Sequence, residues 1–239
     1  MKSARALRSQ GGMFALLICA AMSATAATGE VTVPDTIAQR VLACTACHGK
    51  EGLATDQGYF PRIAGKPEGY LYNQLVGFRD GRRNNRAMSS LIENMSDAYL
   101  MEIAAYFAAL DLPYAAPTQR QAPAGEVDRG QKLVHAGDPA KRLPACTRCH
   151  GSALTGAAPA VPALVGLSKA YLLAQFGAWR TGQRQAIRPD CMYEISHRLS
   201  VDDLGAVASY LAQQPVPRDA RPAARVTLPL PLECGSIPP

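Results

Sequence analysis

The chain has 239 residues, which suits one large domain or two small ones of roughly 100 residues each. Its 25 Lys and Arg against 19 Asp and Glu give a formal charge of +6, but three of the cations lie in the first 27 residues; without those the count is 22 against 19, or +3. So small a surplus is weak evidence for an acidic partner, and with the export segment described next it excludes nucleic acid as the expected partner.

Residues 1–27 read as an export signal. Lys2, Arg5 and Arg8 form the positive n-region, residues 13–21 a short apolar stretch, and Ala24, Thr25 and Ala26 a small-residue cleavage site. The competing reading is a retained membrane anchor, but the run is well short of the ~20 apolar residues that span a bilayer. Cys19 lacks the small residues that a lipoprotein site places before it. The expected location is therefore the periplasm, where free thiols need a reason to exist. Six cysteines follow residue 27: Cys44, Cys47, Cys146, Cys149, Cys191 and Cys234.

A first domain is expected over residues 28–113. Pro34 suits an early helical position, and Ile37, Val41 and Leu42 mark one apolar side of a helix that leads into ACTACHG at residues 43–49. Pro61 follows in a loop, then a middle helix over about residues 68–80. Arg79, Arg82, Arg83 and Arg86 cluster before a loop carrying Met88. A last helix opens at Ser96, a good N-cap with Asp97 just inside, and carries the apolar stripe Leu100, Ile103, Ala104 and Phe107. Residues 114–125, rich in Pro, Ala and polar side chains, read as a linker.

The same order then recurs over residues 126–214. Val127, Leu133 and Val134 mark the first helix, and ACTRCHG stands at residues 145–151, an offset of 102. Residues 162–184 align with 61–83 at an offset of 101, with Pro61, Gly65, Tyr70, Leu71, Gln74, Arg79, Gly81 and Arg83 identical in both. The expected middle helix covers about residues 168–181, with Arg180, Arg184 and Arg188 around it. Met192 matches Met88 at an offset of 104, so a three-residue insertion precedes it, and Cys191 sits in that insertion. Ser200 opens the last helix, whose stripe is Leu204, Val207, Ala208 and Leu211. Residues 215–239 form an extension with seven prolines and Cys234. No convincing strand pattern appears, so the expected fold is all-α, in two tandem domains.

The paired CxxCH motifs carry the chemistry. Two thiols on one helical turn reach the two vinyl groups of a haem and form thioethers, and the adjacent histidine then lies under the ring to bind iron. A redox dithiol needs no following histidine and sits in a βαβ setting; a zinc site needs further close Cys or His, and only His135 and His197 remain. The expected cofactors are thus two covalently bound haems c, attached through Cys44, Cys47, Cys146 and Cys149, with His48 and His150 as fifth iron ligands. Met88 and Met192, 40 and 42 residues after those histidines, are the expected sixth ligands, since a thioether stabilises ferrous iron and closes the site to substrates. Met95 and Met101 have no methionine counterparts and fit core filling better. A backbone carbonyl at Pro61 and Pro162 is placed to accept the second N–H of each histidine. The arginines serve haem propionates, a docking partner or simply a solvated face; His135 and His197 are expected at the surface.

Together, ACTACHG and ACTRCHG, the YLxxQLxxFRxGxR-like middle segment, the methionine loops and the AxYxAxL-like endings resemble the cytochrome c4 family, over about residues 35–213. The GDPAKRLPACTRCHG stretch at residues 137–151 is similar to that family's second haem site. The resemblance implies two packed helical domains with His–Met haems facing a shared interface. It also implies electron transfer in the periplasm, from a dehydrogenase or cytochrome bc-type donor to a terminal oxidase-type acceptor, with peripheral association with membrane complexes. The Cys191 insertion and the Pro-rich tail depart from the pattern.

An electron carrier is the leading expectation. Two competing readings are a di-haem oxidoreductase of the thiosulfate dehydrogenase kind, in which a cysteine such as Cys191 ligates iron, and a dedicated cytochrome subunit of a dehydrogenase complex. Catalysis at haem iron needs an open coordination position and proton-moving groups, and neither methionine loop offers a matched His or carboxylate: Glu194 answers to Ser90. Cys191 and Cys234, the cysteines left over, are expected to pair as a disulfide.

Overall fold

The structure is a computed structural model and describes residues 33–55, 59–114, 122–226 and 229–237. The expected export segment with Cys19, and residues 115–121 of the expected linker, lie outside the described residues. Ten α-helices run through them, and no β-strand is present, only isolated bridges.

In the first half, Thr36 caps α1 (Ile37–Arg40), its hydroxyl accepting the Gln39 N–H at 3.3 Å. Pro34 therefore lies outside the helix that it was expected to open. A kink at Val41 separates α1 from α2 (Leu42–His48), and the kink turns Leu42 outward, 56% exposed, whereas Val41 is buried. The expected apolar side is thus shorter than the sequence implies. The middle helix α3 (Glu68–Arg79) falls within its expected span, and the last helix α5 (Asp97–Ala108) opens where expected, Ser96 capping it through the Tyr99 N–H at 3.3 Å. Leu100, Ile103, Ala104 and Phe107 are all buried against Val41, Leu71, Phe78 and Ile92, forming the first core.

The second half opens with α6 (Ala124–Ala136), which crosses α10 (Val201–Gln213) closely. Gly130 makes that crossing possible, because a Cβ there would lie 2.1 Å from the Ala206 carbonyl oxygen. Unlike in the first half, α6 does not run into the CxxCH; residues 137–146 intervene before α7 (Thr147–His150). The middle helix α8 (Lys169–Arg180) is capped by Ser168, and Ser200 with Asp203 forms a reciprocal capping box on α10. Asp203 is buried yet ion-paired with Arg129 and Lys141. Leu204, Val207, Ala208 and Leu211 close the second core with Leu133, Val134, Leu172 and Phe176.

The segments read as methionine loops are helices. Met88 lies in α4 (Arg86–Ile92), capped by Asn85, and Met192 in α9 (Cys191–Arg198), capped by Asp190. Each is too short for its apolar period to stand out in the sequence, and each gains its stability from capping and from packing on its core. The described residues from Pro34 onward pack as one compact unit in which the halves meet directly.

Candidate functional site

Each CxxCH sits where its helix delivers the histidine inward. His48 ends α2 and His150 ends α7; both are buried. His48 Nδ1–H donates to the Pro61 carbonyl at 2.8 Å, and His150 Nδ1–H donates to the Pro162 carbonyl at 2.8 Å. A carbonyl only accepts, so the proton is on Nδ1 and each Nε2 keeps its lone pair for a metal. Burial lowers the pKa of both rings, which favours that neutral form. The loops that carry the prolines are braced alike: the Ala54 N–H donates to the His48 carbonyl at 2.7 Å, and the Gly156 N–H to the His150 carbonyl at 3.0 Å.

None of the four CxxCH thiols is disulfide-bonded. Burial pushes Cys146 up to about 12 and raises Cys44 and Cys149 as well. A redox dithiol needs the opposite shift, towards thiolate, and both thiols of the second motif are moved away from it. No group of three or more His, Cys, Asp and Glu side chains is arranged to hold a metal ion among the described residues. Cys44 and Met88 pack on the first core, and Cys146 and Met192 on the second. Met95 also packs on the first core, and Met101 is exposed.

A large cleft in the second half is walled by Cys146, Cys149, His150, Met192, Leu172 and Phe176. Paired thiols, an imidazole with a free lone pair, a thioether and apolar walls are what a covalently held haem requires, and the site fits it. The cleft continues to the first half, where the arginines separate into two kinds. Arg79 and Arg82 form ion pairs with Asp80, and Arg79 also with Asp97, at the surface. Arg83 and Arg184 instead cross between the halves. Arg83 donates to Gln175 at 2.7 Å and Tyr171 at 3.3 Å; Arg184 donates to Gln74 at 2.8 Å and Tyr70 at 3.4 Å. The backbone repeats the exchange, with Asn84 N–H on the Gln183 carbonyl and Gln185 N–H on the Arg82 carbonyl, both at 2.7 Å. The interface is a pseudo-two-fold one, built from matched Tyr, Gln and Arg positions. Sequence reasoning found those identities but did not assign them to an interface; polar identity at otherwise unexplained positions was the signal.

Cys191 and Cys234 are bonded, with a sulfur–sulfur distance of 2.13 Å. A sulfur in that bond is not a thiolate and offers nothing to iron. The tail returns across the second half: the Gly235 N–H donates to the Pro189 carbonyl at 2.9 Å, and Asn73 of α3 donates to the Ser236 carbonyl at 3.2 Å. His135 and His197 are exposed, His135 sharing a 2.8 Å hydrogen bond with the Tyr210 hydroxyl. Among the described residues no helix is long and apolar enough to cross a membrane.

No family model matches the chain. It is 39% identical over 173 residues to a thiosulfate dehydrogenase electron acceptor of Thiomonas intermedia, covering 72% of this chain and 79% of that protein. It is 35% identical over 170 residues to a cytochrome c4 of Pseudomonas aeruginosa, covering 70% of this chain and 82% of that one. Among solved structures, reduced recombinant cytochrome c4 from Pseudomonas stutzeri superposes with a TM-score of 0.63 at 30% identity, over 73% of this chain and 94% of that one.

Proposed function

The chain belongs to the cytochrome c4 family of di-haem c-type cytochromes, and from that premise we propose that it is an exported periplasmic electron carrier with two His–Met haem sites. The observation that carries the reading is the matched pair of 2.8 Å bonds from His48 to Pro61 and from His150 to Pro162. They present the same imidazole nitrogen, in the same tautomer, beside two thiol pairs. Bound haem supplies one-electron chemistry at its iron. The chain does the rest. Cys44, Cys47, Cys146 and Cys149 would hold the ring, and His48, His150, Met88 and Met192 would supply the ligands to the irons. Apolar walls exclude water, and the Arg83–Gln175 and Arg184–Gln74 pairs keep the two sites in one rigid unit.

Electrons enter from a redox enzyme and leave to a terminal oxidase-type or other acceptor. Among donors, a thiosulfate-oxidising enzyme is favoured by the likeness to the Thiomonas intermedia acceptor protein, in which case this chain receives electrons and does not itself oxidise thiosulfate. Haem staining on a denaturing gel, with intact mass, should show two covalent haems on a chain that begins near residue 28. One haem, or haem lost on acid extraction, rejects the reading. The purified protein should be reduced by a thiosulfate dehydrogenase and should show no steady-state thiosulfate oxidation alone; turnover of ~1 per second or faster by itself makes it an enzyme.

A further inference from the structure

Two polar side chains in the cleft between the halves have been left without a partner. Lys66 is 5% exposed and Trp179 is 8% exposed, and among the described residues neither Lys66 Nζ nor Trp179 Nε1 has a hydrogen-bond partner. Both line the cleft that Cys146, Cys149, His150 and Met192 also line. The cleft is rich in cations: neither Lys66, Arg83 nor Arg184 has an acidic partner among the described residues, and the two arginines bond to neutral Gln and Tyr side chains. Asp190, a carboxylate on the wall, has both oxygens occupied by the Ala186 and Tyr193 N–H groups. An uncompensated buried ammonium costs several kcal/mol, and a buried indole N–H without an acceptor also costs free energy, so the cleft is built for an anion.

We propose that Lys66 and Trp179 receive a carboxylate of the second haem, so that a lysine of the first half completes the second haem's site and sets the two haems apart. The inference rests on the haem reading above. A haem carries two carboxylates on flexible arms at one edge, and the cleft offers an ammonium from the first half and an indole N–H from the second. The same devices are missing from the mirrored positions. At the offset of 101, Lys66 answers to Leu167 and Trp179 to Phe78, which have neither a charge nor a donor. The rest of the frame is alike in both halves: Arg184 stacks on Trp179 at 3.8 Å and Arg83 on Phe78 at 4.4 Å. Only one haem therefore gains the lysine and the indole. A positive charge beside a haem disfavours the ferric form, and an N–H on its carboxylate withdraws negative charge from the iron's surroundings. Both raise the potential of the second haem relative to the first. Lys66 and Trp179 are positioning and tuning residues; they do not ligate iron.

The test uses the intact two-haem protein and the variants Lys66→Met, Lys66→Arg and Trp179→Phe, in a redox titration followed by the resolved NMR signals of each oxidised haem. Lys66→Met should lower the reduction equilibrium constant of the second haem about tenfold relative to the first, which is ~59 mV for one electron. Trp179→Phe should shift it in the same direction by a smaller factor, and Lys66→Arg should restore most of the wild-type value. Melting temperatures are recorded alongside. Variants that melt differently but keep both midpoints reduce the two residues to packing and overturn the proposal, and so does a shift confined to the first haem. If Lys66→Met fails to fold, Trp179→Phe and Lys66→Arg carry the same decision. Replacing chloride by sulfate at fixed ionic strength separates the sources of the anion: a wild-type midpoint that follows the salt, and ceases to do so in Lys66→Met, places a soluble anion in the cleft and overturns the haem carboxylate. Wild-type protein without covalent haem would instead reject the function proposed above.

Discussion

Replacing Cys191 and Cys234 together by serine should destabilise the second half and release the tail. The bond closes a loop with a sequence separation of 43 residues. In the chain-entropy model that loop is worth about 4 kcal/mol. For a unit of this size, ~1 kcal/mol moves the melting temperature by roughly 2–4 °C, so the ceiling on the change is about 8–16 °C. The realised change should be smaller, because the tail can peel off locally while the helices stay folded. Near Cys234, what holds it besides the disulfide is modest: the Gly235 N–H on Pro189, the Ile187 N–H on the Ser236 hydroxyl at 3.3 Å, and Asn73 on Ser236; further back, Ala223 exchanges backbone hydrogen bonds with Gly156 and Ala158 and stays anchored. Cys191 immediately precedes Met192, so release should be felt at that methionine and not at Met88. Calorimetry should show a melting temperature lower by several degrees, and the red charge-transfer band of iron–thioether bonding should lose part of its second-haem contribution on mild heating. Gly235→Ala provides an independent check, since a Cβ there would lie 2.1 Å from the Arg188 carbonyl oxygen and must lift the same strand of tail. A double serine variant that melts within about 1 °C of wild type and keeps its full band would refute the idea that the tail braces the second half.

The remaining expectations are as concrete. Met88→Ala and Met192→Ala should each abolish about half of the charge-transfer band and open one iron to exogenous ligands, read by titration with imidazole or azide; an unchanged band removes that residue as a ligand. Asp203→Asn should cost about 2–4 kcal/mol in chemical denaturation, because it leaves Lys141 and Arg129 facing a neutral group whose predecessor was 1% exposed. Burial alone would raise the Asp203 pKa, but its hydrogen bonds with Lys141, Ser200 and Arg129 hold the carboxyl well below the usual range. Its stabilisation is thus complete above the unfolded value of ~3.9 and is lost as pH falls through the folded pKa, so the variant should lose less stability than wild type between pH 4 and pH 2. Arg184→Met should leave Tyr70 without its donor and Gln74 with Arg83 alone, and separate the melting of the two halves into distinct steps in calorimetry, whereas Arg180→Met, outside the interface, should not.

How much of this was legible follows from the range of each interaction. Ser96 and Ser200, with acidic residues one to three positions on, were readable as caps because a cap is a contact within one turn. The stripes of α5 and α10 were readable because helical periodicity repeats every three or four residues, and all eight stripe positions are buried. The thiols and histidine of CxxCH lie on one turn, so their chemistry needed no tertiary knowledge. Where the local signal was weak, the reading slipped: α4 and α9 are too short for a period to emerge, and Pro34, read as an early helical residue, lies before the Thr36 cap.

The sequence by itself thus determined the helical class and the tandem arrangement of two like units, and it nominated the residues proposed to meet iron and ring, all of which depend on spacing within a few turns or on direct repetition. Only the tertiary structure decided what the matched Tyr, Gln and Arg positions do. Arg83 and Arg184 look like Arg79 and Arg180 in the chain, yet they find partners about a hundred residues away and are drawn out of the solvent, Arg184 to 5% exposure. The fate of Lys66 and Trp179 was equally beyond local reading. Burial is a property of what another segment covers, and a lysine's lack of a partner shows only once the surrounding segments have closed over it.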